Sequence, residues 1–462
     1  MIRFLAIGFV MASAAAGAHA GGRPNIVLMM ADDLGWGDTG FNGNTVIRTP
    51  QLDRMAANGL VLDRFYAASA VCSPTRGSCL TGRHPQRLGI PTANAGHLRA
   101  EEITLAEMLR DAGYATGHFG KWHLGTLTKT VRDSNRGGPG GTEHFSPPWN
   151  HGFEVCFSTE AKVPTFDPML IPTGKASQHG WDFIHDKSAA QPYGTRYWNE
   201  RGGEVTENLA GDDSRVIMDR VIPFVEKAAS GKKPFFAVLW FHTPHMPVVA
   251  GPDHVKPYAE YDVYRRNYYG CISAMDEQVG RLRETLRKAG VAENTLLCFA
   301  SDNGPEGKAG RAPGSAGPFH GRKRDLYEGG IRVPAMIEWP ARVKPGRRSG
   351  FPAVTSDYLP TVLDIIGKPL PEKRVIDGVS LLPLIDGKAD ERASPIGFAF
   401  GKQSALSDNR WKLIRPGDSK TAELYDLLQD PSEKNDLAAE HPDIAGTLSK
   451  RLDAWLESCR RP

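Results

Sequence analysis

The sequence predicts an α/β fold, with a large, mainly parallel sheet sandwiched by helices and a smaller C-terminal antiparallel sheet plus helix. Three apolar runs without polar alternation, at 25–30, 234–240 and 295–300, are typical of strands buried on both faces of a parallel sheet. Apolar residues at helical spacing predict helices at 104–112 and 273–289, each followed by a glycine that can end it. Strands that alternate with helices indicate a mainly parallel sheet.

The chain changes character after Gly367, where short strand patterns separated by turns replace the longer alternation. We predict strands at 396–400, 404–415 and 422–427, and a helix with one apolar face at 442–458. The predicted organisation has three parts: a signal peptide at 1–20, a main domain at 21–375 and an α+β subdomain at 376–462.

The N-terminus carries the pattern of a secretory signal peptide. Arg3 precedes an apolar run from Phe4 to Ala16, and Ala18-His19-Ala20 offers small residues around a cleavage point. The run is shorter than the roughly 20 residues that a membrane span needs, and no other stretch approaches that length. We therefore expect no stable membrane insertion and a periplasmic or secreted protein.

The composition is that of a globular protein. Of the 462 residues 40% are hydrophobic and 24% are charged, which excludes a disordered, coiled-coil or collagen-like chain. The formal net charge is only +3 and no basic block occurs, so we expect no nucleic-acid partner. The six cysteines show no tight paired spacing, which leaves the disulfide pattern open, and Cys298 in an apolar run is expected to be simply buried.

The segment 125–213 interrupts the alternation of strands and helices. It is rich in Gly, Pro, Asn and Ser, and a long irregular insertion in a compact domain is usually a functional loop region. Aromatic faces suit sugar rings and Lys or Arg suits anions, so we favour this interpretation over a poorly ordered surface excursion. The residues in question are Trp149, Trp181, Trp198, Lys162, Lys175, Arg196 and Arg201.

Two acidic pairs directly follow predicted strands. Asp32-Asp33 comes after the first strand and Asp302-Asn303 after the strand that ends at Ala300. Ligands of open α/β sheets bind at the carboxyl ends of the strands. Three carboxylates and one amide oxygen form a hard, all-oxygen set that suits Ca²⁺ or Mg²⁺ better than Zn²⁺. Each pair taken alone is also compatible with a helix cap or a turn.

The strongest signal is the run Cys72-Ser73-Pro74-Thr75-Arg76-Gly77-Ser78-Cys79-Leu80-Thr81-Gly82. Ser73 can cap a helix and Pro74 suits its first position, which would place Cys72 at the positive end of the helix dipole. Arg76 lies one helical turn further on and would project near Cys72.

This run resembles the signature of the formylglycine-dependent, type I sulfatases of the alkaline-phosphatase superfamily. The resemblance implies an alkaline-phosphatase-like fold, with a catalytic sulfatase domain at 21–375. It also implies that a formylglycine-generating enzyme oxidises Cys72 to formylglycine (3-oxoalanine), whose hydrated aldehyde is the nucleophile. The geminal diol can release sulfate by elimination, whereas a serine or cysteine ester would need a second attack on sulfur.

Three further segments resemble the family pattern in the family's order. Gly120-Lys121-Trp122-His123 implies a sulfate-binding Lys121 and a His123 that contacts the nucleophile. The segment from His242 to Pro247 implies a sulfate-contacting His245, with His242 in a structural role. The segment 321–330 implies that Lys323 is the last sulfate-contacting cation, and that Glu328 and the glycines are structural.

The resemblance also assigns the remaining roles. The implied metal ligands are Asp32, Asp33, Asp302, Asn303 and the modified residue 72; the implied catalytic residues are Cys72, Arg76, Lys121, His123, His245 and Lys323. The resemblance favours Ca²⁺ over Mg²⁺, although the ligand set alone permits both. Arg76 would orient the nucleophile, His245 or Lys323 would protonate the leaving oxygen, and His123 would accept a proton when sulfate is released.

The implied activity is removal of sulfate from a sulfated carbohydrate, because the aromatic and basic segment suits a glycan better than an aryl or steroid sulfate. Two alternatives use the same site: an arylsulfatase, and a phosphodiesterase or phosphonate monoester hydrolase. The non-enzymatic alternative is an inactive sulfated-glycan-binding protein in which Cys72 is not converted. The sugar, the sulfated carbon, exo or endo action and the oligomeric state stay open.

Overall fold

The computed structural model describes residues 22–134, 136, 140–173, 180–417 and 421–460. The predicted signal peptide and Lys175 lie outside the described residues. Among the described residues, no helix combines the length and the apolar character needed to cross a membrane.

The main body is a ten-stranded sheet whose five central strands are mutually parallel. Its strands follow the spatial order β11-β2-β10-β9-β1-β8-β4-β5-β6-β7. Their bounds are β1 Asn25–Ala31, β2 Leu60–Leu62, β4 Ala115–Lys121, β5 Val155–Thr159, β6 Tyr197–Asn199, β7 Glu204–Val205, β8 Phe235–Trp240, β9 Thr295–Ser301, β10 Met336–Glu338 and β11 Arg347–Ser349; β3 Phe65–Tyr66 and β12 Ala353–Val354 form a separate parallel pair.

Helices cover both faces of this sheet, as the side chains of β1 show. Ile26, Leu28 and Met30 belong to the apolar core on one face, whereas Val27 and Met29 belong to the core on the other. Each face is fully buried because helices pack against it, which explains why the strand sequence lacks polar alternation. The helices are α1 Pro50–Ala57, α2 Cys72–Thr81, α3 Pro85–Leu88, α4 Leu105–Asp111, α5 Asp213–Ser230, α6 Pro252–Val255, α7 Val263–Lys288, α8 Glu328–Ile331, α9 Tyr358–Ile365, α10 Leu382–Ile385 and α11 Pro442–Cys459.

The C-terminal part is a four-stranded antiparallel sheet with α11 packed against it. Its strands are β13 Ile396–Phe400, β14 Gln403–Ser407, β15 Trp411–Arg415 and β16 Glu423–Asp426. The fold class predicted from the sequence is therefore confirmed.

Several local predictions need correction. The predicted helix 273–289 begins earlier, at Val263, because the Asp262 carboxylate caps the backbone N–H groups of Tyr264 and Arg265. The predicted strand 404–415 is two strands, since Asp408 accepts two backbone hydrogen bonds and turns the chain between them.

The segment 125–213 is less irregular than its composition suggests, because it contributes β5, β6 and β7 to the main sheet. Trp198 is buried and its indole Nε1 donates to Asp133 at 2.6 Å, while Trp149 packs against the core. Trp198 therefore stabilises the fold and is not available as a platform for a sugar, whereas Trp149 is only partly buried. All six cysteines are buried and none forms a disulfide.

Candidate active site

The acidic pairs meet where β1 and β9 end side by side. The backbone N–H of Asp302 donates to the carbonyl of Ala31 at 3.1 Å, and the N–H of Asp33 donates to Asp302 Oδ1 at 3.1 Å. Asn303 Nδ2 donates to Asp33 Oδ1 at 2.7 Å. Asp33 has a φ of 67°, a left-handed conformation that is unfavourable for a residue with a side chain and often marks a functional site.

Helix α2 begins at Cys72 and brings a buried thiol to this acidic cluster. The prediction that Ser73 caps the helix is wrong, because Val71 occupies the cap position and the Ser73 hydroxyl donates to the carbonyls of Ala93 and His123. Burial raises the pKa of the Cys72 thiol, although Lys121 and Lys323 oppose this. The thiol therefore stays protonated at neutral pH, which argues against an unmodified thiolate as a nucleophile.

Arg76 extends from the next turn of α2 into the acidic cluster. Its guanidinium donates to Asp302 Oδ2 from Nε at 3.2 Å and from Nη2 at 2.7 Å, and Nη2 lies 3.6 Å from Asp32 Oδ2. Nη1 donates to the carbonyl of Lys121 at 3.0 Å. Burial and the charge of Asp32 raise the pKa of Asp302 to about 7, so Arg76 offsets only part of the charge repulsion.

Two buried lysines pair with the first acidic pair. Lys121 Nζ lies 2.6 Å from Asp32 Oδ2, and Lys323 Nζ lies 2.6 and 2.8 Å from the two oxygens of Asp33. Burial opposes the charge on Lys121, but Asp32 and its other anionic neighbours outweigh burial and raise its pKa. Burial likewise opposes ionisation of Asp32, but the positive charges of Lys121 and Arg76 hold its pKa well below the usual range. The cluster therefore consists of opposite charges that stabilise one another.

The two predicted site histidines are both neutral. Burial and the positive charges of Lys121 and Arg136 hold the pKa of His123 well below its usual value, and its Nδ1 is buried without a hydrogen-bond partner. Burial lowers the pKa of His245 to about 4. His245 Nδ1 donates to the carbonyl of Met246 at 2.7 Å, which leaves Nε2 3.7 Å from Asp33 Oδ2.

The acidic quartet has the properties of a cation site. Asp32 Oδ1 and Asn303 Oδ1 are buried and have no hydrogen-bond partner, which is costly unless another group satisfies them. Ligand atoms of Asp32, Cys72 and Asp302 lie within 4.8 Å of one another. Because the unsatisfied atoms are carboxylate and amide oxygens, the site fits Ca²⁺ or Mg²⁺.

A pocket of about 330 Å³ opens above Cys72, which is within the size range of small-ligand sites. Four predicted residues, Lys121, His123, His245 and Lys323, line it beside Cys72. The structure thus brings all ten predicted site residues to one location. The other lining residues are Val71, Thr92, Ala93, Asn94, Lys162, Met246, Glu306, Arg324 and Phe400.

Sequence reasoning missed a buried network beneath this pocket. Arg136 donates to the carbonyl of His123 at 3.1 Å and to Ser73 Oγ at 2.7 Å, and Glu160 Oε1 accepts from it at 2.8 Å. His123 has a φ of 56°, so these contacts support a strained backbone next to Cys72. Arg136 lies in a glycine-rich stretch without periodicity, and no sequence signal identifies it.

His242 takes no part in the pocket lining. Its Nδ1 lies 2.7 Å from Asp213 Oδ2 and its Nε2 lies 2.8 Å from Thr159 Oγ1, so both ring nitrogens are occupied inside the fold. Arg324 pairs with Glu306 Oε1 at 2.7 Å, and Arg322 donates to the carbonyls of Glu306 and Gly314.

Comparisons with known proteins agree with this geometry. The family model described as "Sulfatase" matches residues 24–368, and the model "N-sulphoglucosamine sulphohydrolase, C-terminal" matches residues 317–460. The chain is 33% identical to N-acetylgalactosamine-6-sulfatase of Canis lupus familiaris over 411 residues, which cover 84% of this chain and 71% of the relative. It is 30% identical to steryl-sulfatase of Homo sapiens over 459 residues, covering 85% and 75%.

Solved structures show the same fold. The crystal structure of Ps i-CgsB in complex with k-i-k-neocarrahexaose superposes with a TM-score of 0.79 at 27% identity, covering 94% of this chain and 92% of that chain. The phosphonate monoester hydrolase of Agrobacterium radiobacter shares the fold alone, with a TM-score of 0.65 at 20% identity, covering 95% and 96%. The chain therefore belongs to the formylglycine-dependent sulfatase family of the alkaline-phosphatase superfamily, and it is a sulfatase.

Proposed function

We propose that this sulfatase removes sulfate from a sulfated carbohydrate, using formylglycine made from Cys72 as the nucleophile and a bound divalent cation, Ca²⁺ in preference to Mg²⁺. One observation carries the proposal: Cys72 heads a buried helix, lines the pocket, and lies within ligand distance of an acidic cluster that keeps two unsatisfied oxygens. The run from Cys72 to Gly82 supports maturation by a formylglycine-generating enzyme, and the secretory pattern at the N-terminus supports a periplasmic or secreted location.

Asp32, Asp33, Asp302, Asn303 and residue 72 would hold the cation, which when bound lowers the pKa of the nucleophilic hydroxyl and offsets charge on the sulfate ester. When Cys72 is converted, the formylglycine hydrate supplies the attacking hydroxyl and a second hydroxyl through which sulfate is eliminated. The cation and the formylglycine hydrate would thus join buried charged side chains whose positions the fold already fixes.

The chain's own residues orient the ester and move protons. The ammonium groups of Lys121 and Lys323 line the pocket beside residue 72 and bind the sulfate oxygens. Arg76 holds Asp302 and the carbonyl of Lys121, which fixes both relative to α2. The neutral ring of His123 accepts a proton when sulfate leaves.

Two residues were predicted as candidate proton donors to the leaving oxygen. Asp33 raises the pKa of Lys323 despite its burial, so Lys323 is protonated at neutral pH, whereas the pKa of His245 is about 4. We therefore assign the donor role to Lys323. His245 lines the pocket and contacts the bound ester there.

A carbohydrate substrate is supported by the charged, polar pocket and by two similar proteins. One relative is named for N-acetylgalactosamine 6-sulfate, and one solved structure holds a carrageenan-type hexaose. A sterol would need an apolar cavity, whereas three lysines line this pocket.

The experiment combines chemistry and activity. Mass spectrometry of the peptide that bears residue 72 should show an aldehyde, and the protein should release sulfate from sulfated oligosaccharides faster than it cleaves an aryl phosphodiester. Cys72→Ala should abolish release with the fold intact. Cys79→Ala is the matched control, because Cys79 lies in the same helix and belongs to the apolar core. An unmodified Cys72 without sulfate release would support the binding-protein alternative, and faster phosphodiester cleavage would support the hydrolase alternative.

A further inference from the structure

Lys162 is the pocket lysine that the proposed chemistry does not use. Lys121, Lys162 and Lys323 all line the pocket above Cys72. The first and last of these pair with Asp32 and Asp33 at 2.6 Å. Within the described ranges of the chain, by contrast, no carboxylate oxygen lies within 4.0 Å of the Lys162 ammonium. Lys162 therefore brings to the pocket a positive charge that no carboxylate of the described residues contacts directly.

The electrostatic surroundings of Lys162 favour an anion. Lys162 is exposed at the rim of the pocket, and partial burial there and the positive charges of Lys121 and Lys323 lower its pKa, while Asp32 and Asp33 compensate only in part. A cation held near two other cations is stabilised when a negative group binds beside it. Arg324, on the same pocket, is already neutralised by Glu306 at 2.7 Å.

The backbone of Lys162 is fixed by the fold. The residue follows β5, whose carboxyl end lies at the same sheet edge as Lys121. Thr159 Oγ1 donates to the carbonyl of Ala161 at 2.7 Å, and Thr195 Oγ1 donates to the carbonyl of Lys162 at 3.0 Å. These two hydrogen bonds hold the main chain on both sides of the residue, so the position of Lys162 is built into the site.

We propose that Lys162 binds a second anionic group of the substrate, a carboxylate or another sulfate close to the sulfate that is removed. The inference rests on the proposed function and narrows it, because it makes a glycan with at least two neighbouring anionic groups the preferred substrate. Lys162 is then a specificity-determining residue, whereas Lys121 and Lys323 bind the sulfate that is cleaved.

The proposal is tested by measuring how tightly the protein binds ligands that differ only in their number of sulfate groups. The inactive Cys72→Ala protein is used so that the ligands are not hydrolysed. Calorimetric titrations use the Cys72→Ala protein with and without Lys162→Met, and the probes are mono- and disulfated forms of N-acetylgalactosamine and of a carrageenan-type disaccharide. Loss of one charge-assisted contact should weaken binding of the disulfated probes about tenfold and leave the monosulfated probes within about twofold. Lys162→Arg should retain the preference, and added salt should reduce it.

The matched control is Lys227→Met, an exposed lysine on α5 that does not line the pocket. It should change no binding constant. Equal weakening of mono- and disulfated probes would overturn the proposal, because Lys162 would then contact the cleaved sulfate. An unchanged preference in Lys162→Met, or no binding of either disulfated probe, would overturn it as well. Failure of the proposed function would appear separately, as an unmodified Cys72 in the wild-type protein.

Discussion

Two clusters of buried charge, one at the carboxyl edge of the main sheet and one beneath the C-terminal sheet, differ in how their oxygens are satisfied. We call them the site cluster, of Asp32, Asp33, Asp302, Arg76, Lys121 and Lys323, and the junction cluster, of Glu328, Glu433, Lys412, Tyr66 and Arg332. Lys412 lies 2.9 Å from Glu328 Oε1 and 2.8 Å from Glu433 Oε1, and all three residues are buried.

Each carboxylate oxygen of the junction cluster has a hydrogen-bond donor or a positive charge beside it: Glu433 Oε1 accepts no hydrogen bond but lies 2.8 Å from Lys412 Nζ. Glu328 Oε2 accepts from Tyr66 at 3.0 Å, and Glu433 Oε2 accepts from the backbone N–H of Glu328 at 2.6 Å. In the site cluster, Asp32 Oδ1 has no partner, the adjoining Asn303 Oδ1 has none either, and a pocket opens beside them. Buried charge by itself is therefore compatible with a purely structural role. Unsatisfied oxygens next to a pocket are what distinguish a ligand site.

The largest expected effect comes from the same chemical change made in each cluster. Asp32→Asn removes a proposed cation ligand and should lower kcat/KM for sulfate release on the order of 10³-fold, with lower bound metal by mass spectrometry. Glu433→Gln should leave kcat/KM of the folded enzyme near the wild-type value, because this residue lies away from the pocket. Comparable activity losses in the two variants would contradict the distinction between the clusters.

The next effect concerns stability of the junction cluster. Lys412→Met leaves two buried glutamates without their shared cation and should lower the free energy of unfolding by about 3 to 5 kcal/mol in urea denaturation. The exposed Lys434→Met is the control and should change it by less than about 0.5 kcal/mol. The double variant Lys412→Met/Glu433→Gln should recover part of the lost free energy of unfolding, because it removes one uncompensated buried charge. If it recovers none, uncompensated charge is not the cause of the destabilisation.

Removal of the cation should affect the site cluster alone. At a free Ca²⁺ concentration 100 times its Kd, binding should stabilise the chelated protein by about 2.7 kcal/mol, which a thermal melt would register as a rise in Tm. Ca²⁺ should act at lower concentration than Mg²⁺. Asp32→Asn should lose most of the shift and Glu433→Gln should keep it. An equal shift in both variants would place the cation elsewhere.

A buried histidine outside both clusters gives the smallest effect and a pH dependence. Burial lowers the pKa of His84 to about 4, against about 6.5 for an unfolded chain. The unfolded state therefore binds the extra proton between these values, and this contribution to stability, present above pH 6.5, is lost as pH falls towards 4. At pH 5 the loss of stability relative to pH 7 should amount to about 2 kcal/mol.

His84→Asn keeps an acceptor for the backbone N–H of Gln86 and should flatten this dependence in urea denaturation at pH 5 and pH 7. The exposed His185→Asn serves as control and should retain the wild-type dependence. Identical profiles for the wild type and His84→Asn would show that His84 does not contribute.

Features encoded in short contiguous stretches of sequence could be predicted. The central strands show continuous apolar runs, and the acidic pairs and the Cys72 run are contiguous, so their place at the ends of strands and at a helix start could be deduced. Asp262 and Asp408 set boundaries that apolar periodicity does not register, which explains the errors in α7 and β14.

The remaining contacts join residues that are distant in the chain. Arg136 reaches Ser73 and His123 from a segment without regular pattern, and Lys162 reaches the pocket only because β5 pairs with β4. Trp198 was assigned to a sugar surface because composition cannot distinguish an aromatic ring in the core from one at a rim. The positions of these three residues depend on tertiary contacts, which a local sequence pattern does not encode.

The Lys412–Glu328 ion pair has a consequence for protein engineering. Glu328 belongs to the same turn segment as Lys323, so a strand of the C-terminal sheet supports the loop that places a cation beside Cys72. A chimera that exchanges the C-terminal sheet between relatives would have to transfer Lys412 and Glu433 together. A graft that omits them would leave Glu328 without its cation and destabilise the turn segment that carries Lys323, although none of the exchanged residues contacts the ester.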